Sequence, residues 1–360
     1  MKAKKSIILG LIVCMLTATF AACGSDAAKD TTEDVAQEAT EVTVQEPADT
    51  EENESMNTYP VTVTDQAGRE VVIEKEPETI VSGYYIATSM LIALGQEEKM
   101  VGVENNPEKR PVYALSAPEI LELPGMGTVK EFDLETCAKL QPDLVVLPMK
   151  LKEMTESLDQ LGIPVVIVNP ETQELFEETI TLLGTAVGNT ERAQELLSFV
   201  DGHLSEMEDA VKDAERPRVY LSGNSSFLLT AGPAMYQNSL IVNAGGENVA
   251  NDLTDTYWAE ISYEQLLAWD PEYIILASGA SYTVEDVLAD ENLKNCQAVK
   301  AGQVYQMPDE IECFDSPVPA SVLGNLWLAS ILHPDEYPST EYEQAQKEFY
   351  ETFYGFTPEL

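Results

Sequence analysis

One pattern occurs twice in this chain. Residues 133–147 read DLETCAKLQPDLVVL, and residues 262–276 read SYEQLLAWDPEYIIL. An offset of 129 residues places Glu135 on Glu264, Pro142 on Pro271 and Leu147 on Leu276. Each copy runs from a capping residue through an acidic first turn and an apolar helix to a Pro-acid turn and an apolar strand. Two copies of one helix-to-strand unit, far apart in the chain, predict two similar lobes.

The rest of the pattern agrees. Residues 61–65 and 69–73 alternate around Gln66, Ala67 and Gly68, a hairpin signal. Short apolar strands are expected at 79–82, 100–103, 143–147 and 164–168, with helices over 86–94, 134–140, 151–161 and 172–187. The second half repeats the alternation, with strands at 218–222, 272–276 and 304–307. Its helices are expected over 236–244, 263–269, 319–332 and 340–353. Strands alternating with helices imply parallel sheets. Between the two copies, residues 190–214 contain no Pro and carry Ala193, Leu196, Leu197, Val200, Leu204, Met207 and Val211 at helical spacing. This predicts one long helix that limits how far the lobes swing apart. The expected fold is α/β, two Rossmann-like lobes joined by that helix.

The N-terminus reads as a sorting signal. Lys2, Lys4 and Lys5 precede an apolar stretch over residues 6–20, too short for a comfortable membrane span. The stretch ends in Ala21, Ala22, Cys23 and Gly24, which resembles the lipobox of bacterial lipoproteins. That resemblance implies cleavage after residue 22 and acylation of Cys23, and two acyl chains give stable anchoring. An ordinary secretory signal with a chance Cys is the alternative. Residues 24–57 hold eleven acids against one base, Lys29, and no aromatic. Such a segment cannot bury enough apolar surface to offset its ordering entropy, so a disordered tether is expected.

The formal net charge is -43. A chain this acidic is a poor partner for phosphate backbones or anionic headgroups, and no nucleic acid is expected. It suits an extracytoplasmic solute carrier or a partner with basic docking sites. Beyond Cys14 in the signal and Cys23, three cysteines remain. Cys137, inside the first repeated helix, reads as a small core residue. A Cys296–Cys313 disulfide is left open, and no Cys/His cluster has zinc spacing.

Five stretches carry a family resemblance. Residues 61–69 (VTVTDQAGR), 133–147, 244–250 (AGGENVA), 258–266 (WAEISYEQL) and 327–334 (WLASILHP) stand in the order found in substrate-binding lipoproteins of ABC importers for iron complexes and cobalamin. These are the helix-linked, class III type, and the resemblance covers about residues 58 to 354. It implies a signal peptide over 1–22, a lipidated Cys and tether over 23–57, an N-lobe over 58–188, a linking helix over 189–215 and a C-lobe over 216–360. It also implies that Glu135 and Glu264 project from the lobe tips and meet arginines of a permease dimer, which works with ATPase subunits. A carboxylate in a first helical turn is also favoured by the helix dipole alone, and the two roles are compatible.

Open α/β sheets bind ligands at strand C-termini. In the N-lobe those ends lead to Tyr84, Tyr85, Arg110, Met149 and Lys150. In the C-lobe they lead to Asn224 with Ser225, to Tyr257 and Trp258, and to Phe314. Aromatics and Met suit a large, flat or greasy chelate. The resemblance is less complete at Pro319-Ala320, where relatives often carry Pro-Arg, and bases near the cleft are scarce. Anionic iron complexes usually need basic partners, so a neutral or cationic complex or a cobamide stays open. The two histidines, His203 and His333, fall away from the expected cleft, which speaks against haem held by His and leaves haem with a weak Met axial ligand such as Met149 as an alternative. The expected function is capture of a metal chelate, foremost an iron-siderophore complex, with no resident cofactor and no chemistry on the solute. The rivals are an extracytoplasmic lipoprotein hydrolase, for which no G-x-S-x-G elbow or P-loop is present, and a relay to another surface protein.

Overall fold

The structure is a computed structural model in which residues 58–253 and 258–359 are described. The signal segment, Cys23, the tether and Tyr257 lie outside the described residues.

The described chain opens with an antiparallel hairpin of β1 (Val61–Thr64) and β2 (Glu70–Ile73). The Asp65 carboxylate closes its turn by accepting the N–H groups of Ala67 and Arg69, at 3.0 and 2.9 Å. Then follow β3 (Ile80–Ser82), α1 (Tyr85–Ala93), β4 (Met100–Gly102) and α2 (Pro111–Ser116). A small hairpin, β5 (Gly127–Thr128) and β6 (Glu131–Phe132), leads into α3 (Leu134–Leu140) and β7 (Leu144–Pro148). The lobe ends with α4 (Thr155–Gln160), β8 (Val165–Val168) and α5 (Gln173–Ala186). Its sheet has the order β4-β3-β7-β8, all neighbours parallel.

After α6 (Thr190–Val211) the plan repeats. The second lobe contains β9 (Arg218–Ser222), β10 (Leu229–Thr230), α7 (Tyr236–Asn243), β11 (Glu247–Asn248), β12 (Ala259–Glu260), α8 (Tyr263–Trp269) and β13 (Tyr273–Leu276). It closes with α9 (Val284–Ala289), α10 (Gln297–Ala301), β14 (Val304–Gln306), α11 (Ser321–Leu332) and α12 (Ser339–Phe353). The parallel core, β11-β9-β13-β14, matches that of the first lobe strand for strand. Antiparallel β10 and β12 are added on the β9 edge. They depart from the all-parallel expectation, and at two residues each they are too short to show a period in sequence.

The repeated units are alike in backbone detail. Asp133 caps α3 by accepting the Thr136 N–H at 2.9 Å, and Ser262 caps α8 by accepting the Gln265 N–H at 3.2 Å. Both helices end in a left-handed residue that is not Gly: Gln141 at φ 50° and Asp270 at φ 44°. The next residue is Pro in each case, which stops the helix and starts the strand. Asp270 is held in place by accepting the Gln297 N–H at 2.8 Å, whereas Gln141 is exposed.

Helix α6 spans roughly 33 Å at 1.5 Å per residue and buries Ala193, Leu196, Val200, Leu204, Met207 and Val211. Arg192 in its first turn ties the end of α1 to α12. Its Nε donates to the Ala93 carbonyl at 3.1 Å, a second nitrogen donates to the Thr352 carbonyl, and the guanidinium lies 4.6 Å from the centre of the Phe353 ring. A second tie is a strap, residues 308–318, that crosses from the C-lobe to α1 and α2. The Val112 N–H donates to the Ile311 carbonyl at 3.2 Å, and Ser89 donates to the Glu312 carboxyl. Cys137 and Cys296 are buried free thiols and Cys313 is half-buried and free, so the Cys296–Cys313 bridge is not made.

Two outcomes test this packing. Replacing Gln141 by Gly relieves the left-handed backbone and raises stability by about 1 kcal/mol, measured by urea unfolding. Within the strap, burial pushes the Asp315 carboxyl up to about 6, against hydrogen bonds from Ser278 that pull it down. The native state thus keeps a proton that the unfolded chain releases. Stability is undiminished below about pH 3.8 and falls as pH rises toward about 6, by on the order of 3 kcal/mol. Asp315→Asn keeps the acceptor for the Ser278 N–H and removes that part of the pH dependence.

Candidate functional site

Three neighbouring parallel strands of the N-lobe end at one place. Beyond β3 come Tyr84 and Tyr85; β7 ends in Pro148 and leads to Met149 and Lys150; β8 ends in Val168 and leads to Asn169 and Glu171. These residues, Val129 in the β5–β6 turn, and Ala234 and Met235 just before α7 line a cavity of about 470 Å³. Four of the residues expected at the cleft, Tyr84, Tyr85, Met149 and Lys150, are thereby brought together. A larger groove of about 820 Å³ lies between the β1–β2 hairpin and α5, with Glu174, Glu177, Glu178 and Asp201 on its rim. It touches the end of β8 through Gln66, which accepts the Asn169 N–H, but none of its lining comes from the loops directly after the parallel strands, and the smaller cavity has the position that an open α/β sheet reserves for ligands.

The two tyrosines are placed by backbone and by buried acid. A Cβ at Gly83 would lie 2.6 Å from the Leu147 side chain, so only Gly lets the chain pass this closely over β7. Tyr84 then precedes α1 in an extended conformation, and its carbonyl accepts the Thr88 N–H at 2.9 Å. Thr88 donates its hydroxyl to Glu104 Oε2 at 2.6 Å, and Tyr113 Oη donates to Glu104 Oε1 at 2.8 Å. Glu104 is buried, and desolvation raises its pKa despite these bonds. It fixes the first turn of α1 and so aims the Tyr pair. The Tyr84 and Tyr85 rings meet edge to face at 5.4 Å, and burial raises both phenol pKa values, which keeps them neutral donors. Tyr85 Oη donates to Ser316 Oγ at 3.3 Å, a bond across the lobes.

Arg110 does not line the 470 Å³ cavity. Its guanidinium lies 4.0 Å from the centre of the Tyr85 ring, on the side of a smaller space behind that residue. In the C-lobe, Asn224 and Ser225 are exposed beyond β9, outside the cavity lining. Trp258 is half-buried against Gly223, where a Cβ would lie 3.1 Å from the indole, and it too lies outside the lining. Phe314 is a correction: it is 2% exposed and packs in the core beneath Gly324, whose missing side chain makes the room. A ring buried to that degree offers no surface to a solute. Glu104, Tyr113, Asn169, Glu171 and Met235 were not found from the sequence. The Pro-acid turns signalled the strand starts, but nothing in composition separates a buried acid such as Glu104 from a solvated one.

Glu135 and Glu264 occupy equivalent exposed sites in the first turns of α3 and α8. Glu135 pairs with Lys139 at 2.7 Å on the surface, whereas Glu264 is held below the usual carboxylate range by its own backbone N–H and the Ser262 hydroxyl. Among the described residues no helix is long and apolar enough to cross a membrane.

The fold agrees with known proteins. The profile of the family described as Periplasmic binding protein matches residues 80–311. The molybdate-binding protein MolA of Haemophilus influenzae is 25% identical over 319 residues, covering 81% of this chain and 90% of that protein. The cobalamin-binding protein of Halobacterium salinarum is 26% identical over 299 residues, covering 80% of this chain and 78% of that protein. A solved periplasmic solute-binding protein from Veillonella parvula superimposes with a TM-score of 0.73 at 29% identity, over 83% of this chain and 94% of that one. The chain belongs to the periplasmic binding protein family, the class III solute-binding components of ABC importers.

Proposed function

We propose that this protein captures a metal chelate, foremost an iron-siderophore complex, in the cavity at the β3, β7 and β8 ends and delivers it to an ABC permease. The observation that carries this reading is the cavity wall. Tyr84, Tyr85, Val129, Pro148, Met149 and Met235 present rings, a thioether from each lobe and aliphatic surface, with Lys150 and Glu171 as the charged side chains. Such a wall suits an organic periphery and offers little to a bare tetrahedral oxyanion, which needs converging N–H donors. The described residues contain no trio of His, Cys, Asp or Glu placed to hold a metal ion, so a metal would arrive with its own ligands. Neither histidine lines the cavity, and His333 is buried with Nε2 3.3 Å from the Gly245 carbonyl. A cobamide is the second reading, favoured by the same apolar wall.

The protein would be held in the envelope by acylated Cys23 and the acidic tether, and Glu135 and Glu264 would be the permease handles. Their equivalent exposed positions, one per lobe, suit a two-fold membrane partner.

Fluorescence titration with ferric catecholates, ferric hydroxamates, cobalamin, haem and molybdate tests the solute class. Tight binding of a ferric siderophore and none of molybdate is expected; binding of molybdate alone would sink the chelate reading. The double variant Tyr84→Ala with Met149→Ala weakens the binding found by about tenfold to a hundredfold. Reversal of both handles, Glu135→Lys with Glu264→Lys, leaves that affinity unchanged and abolishes uptake in vesicles carrying the importer. Intact uptake would remove the docking role.

A further inference from the structure

Tyr85 is a wall shared by two spaces. One face borders the 470 Å³ cavity; the other borders a space of about 60 Å³, large enough for one or two waters. The smaller space is lined from the N-lobe by Ser89, Lys109 and Arg110, and from the C-lobe strap by Asp309, Glu312 and Cys313. Cations thus face acids across the lobe boundary, yet among the described residues neither Arg110 nor Glu312 forms a salt bridge. Arg110 rests on the Tyr85 ring instead. Asp309 is already occupied, accepting the Gly279 N–H at 2.6 Å.

Glu312 is the unsatisfied member. It is 7% exposed; one oxygen accepts the Ser89 hydroxyl, and Oε2 has no hydrogen-bond partner. The groups around it are Ser89 on α1 and Tyr354 beyond α12, whose hydroxyls both pull its pKa down against burial, Tyr350 on α12 with its own Oη unpartnered, Arg110 at the start of α2, and Cys313 beside it in the strap. Arg110 is the one cation among the groups that act on its charge. A buried carboxyl with no cation in contact stays protonated, and burial pushes this one up to about 7.

We propose that Arg110 and Glu312 are the two halves of an electrostatic latch between the lobes. In the latched state the lobes close the 60 Å³ space, Arg110 leaves the Tyr85 ring, and its guanidinium pairs with Glu312 Oε2. The carboxyl proton passes to solvent as the pair forms, so latching is favoured as pH rises. Tyr85 couples the latch to the cleft, because a solute pressing on its cavity face moves the ring on which Arg110 rests. The two states differ in named contacts, cation on ring against cation on carboxylate, as a population shift requires. The purpose of the latch rests on the solute-binding reading, but its formation does not, and the test uses no solute.

The measurement is the distance between nitroxide labels at Glu135→Cys and Glu264→Cys, in a background of Cys14→Ser, Cys23→Ser and Cys313→Ser where the buried Cys137 and Cys296 stay unlabelled. A shorter distance population is expected to grow between about pH 6 and about pH 8, the window around the Glu312 value. Arg110→Gln, Glu312→Gln and the double variant each lose that growth to the same extent, with thermal unfolding reporting that all remain folded. A distribution unmoved by pH in the parent, growth that persists in either single variant, or a double variant that differs from the singles would overturn the latch. Failure of every chelate to bind the parent protein would remove the solute reading and leave the label distances standing.

Discussion

Covering both faces of a parallel strand leaves chemistry nowhere to go but its ends. In β7, Leu144, Val145, Val146 and Leu147 are all 0% exposed, and in β13 the same holds for Ile274, Ile275 and Leu276. Each strand is flanked by parallel neighbours on both sides, β3 and β8 for one, β9 and β14 for the other. The backbone polar groups are satisfied in the plane of the sheet and the side chains are spent on packing. Residues that meet solvent at the C-terminal edge are therefore free to be Tyr, Met, Lys and Asn. The cleft is a consequence of how the core is buried.

The same constraint explains why polar groups near the cleft are arranged as supports. Glu104 lies just past β4 and holds Thr88 and Tyr113, which fixes the start of α1 beneath the tyrosines. Buried acids of this kind are raised in pKa by desolvation and act as neutral or hydrogen-bonded anchors rather than surface charges. In a chain with net charge -43 they form a minority population with a separate structural role.

Much of the fold could be read from the residues, and the reasons differ by element. Helices α3 and α8 lie where the repeat put them, because a capping side chain, an acidic first turn and a Pro stop bound each on both sides. Helix α6 begins at the expected residue and ends three residues early, since its C-terminus has no Gly or Pro until Pro217. The two-residue strands β10 and β12 left no periodic trace. At the cavity, the C-terminal ends of the expected strands led to Tyr84, Tyr85, Met149 and Lys150, which are local to their strands. Phe314 was misplaced because its burial depends on Gly324, a partner ten residues on. Met235 was missed because it reaches the cavity from a loop before a helix, not from a strand end.

The matched lobes do not share the cavity equally. Of its lining, Ala234 and Met235 come from the C-lobe, while the Tyr pair, the β7 and β8 ends and the β5–β6 turn all come from the N-lobe. A solute held there has one lobe as its seat and the other as its cover. Were the lobes to part, the cover would come away and a solute in this cavity would stay behind on the seat. Unloading at a membrane partner is then a question of loosening Tyr84, Tyr85 and Met149, and prising the lobes apart does only the first half of that work.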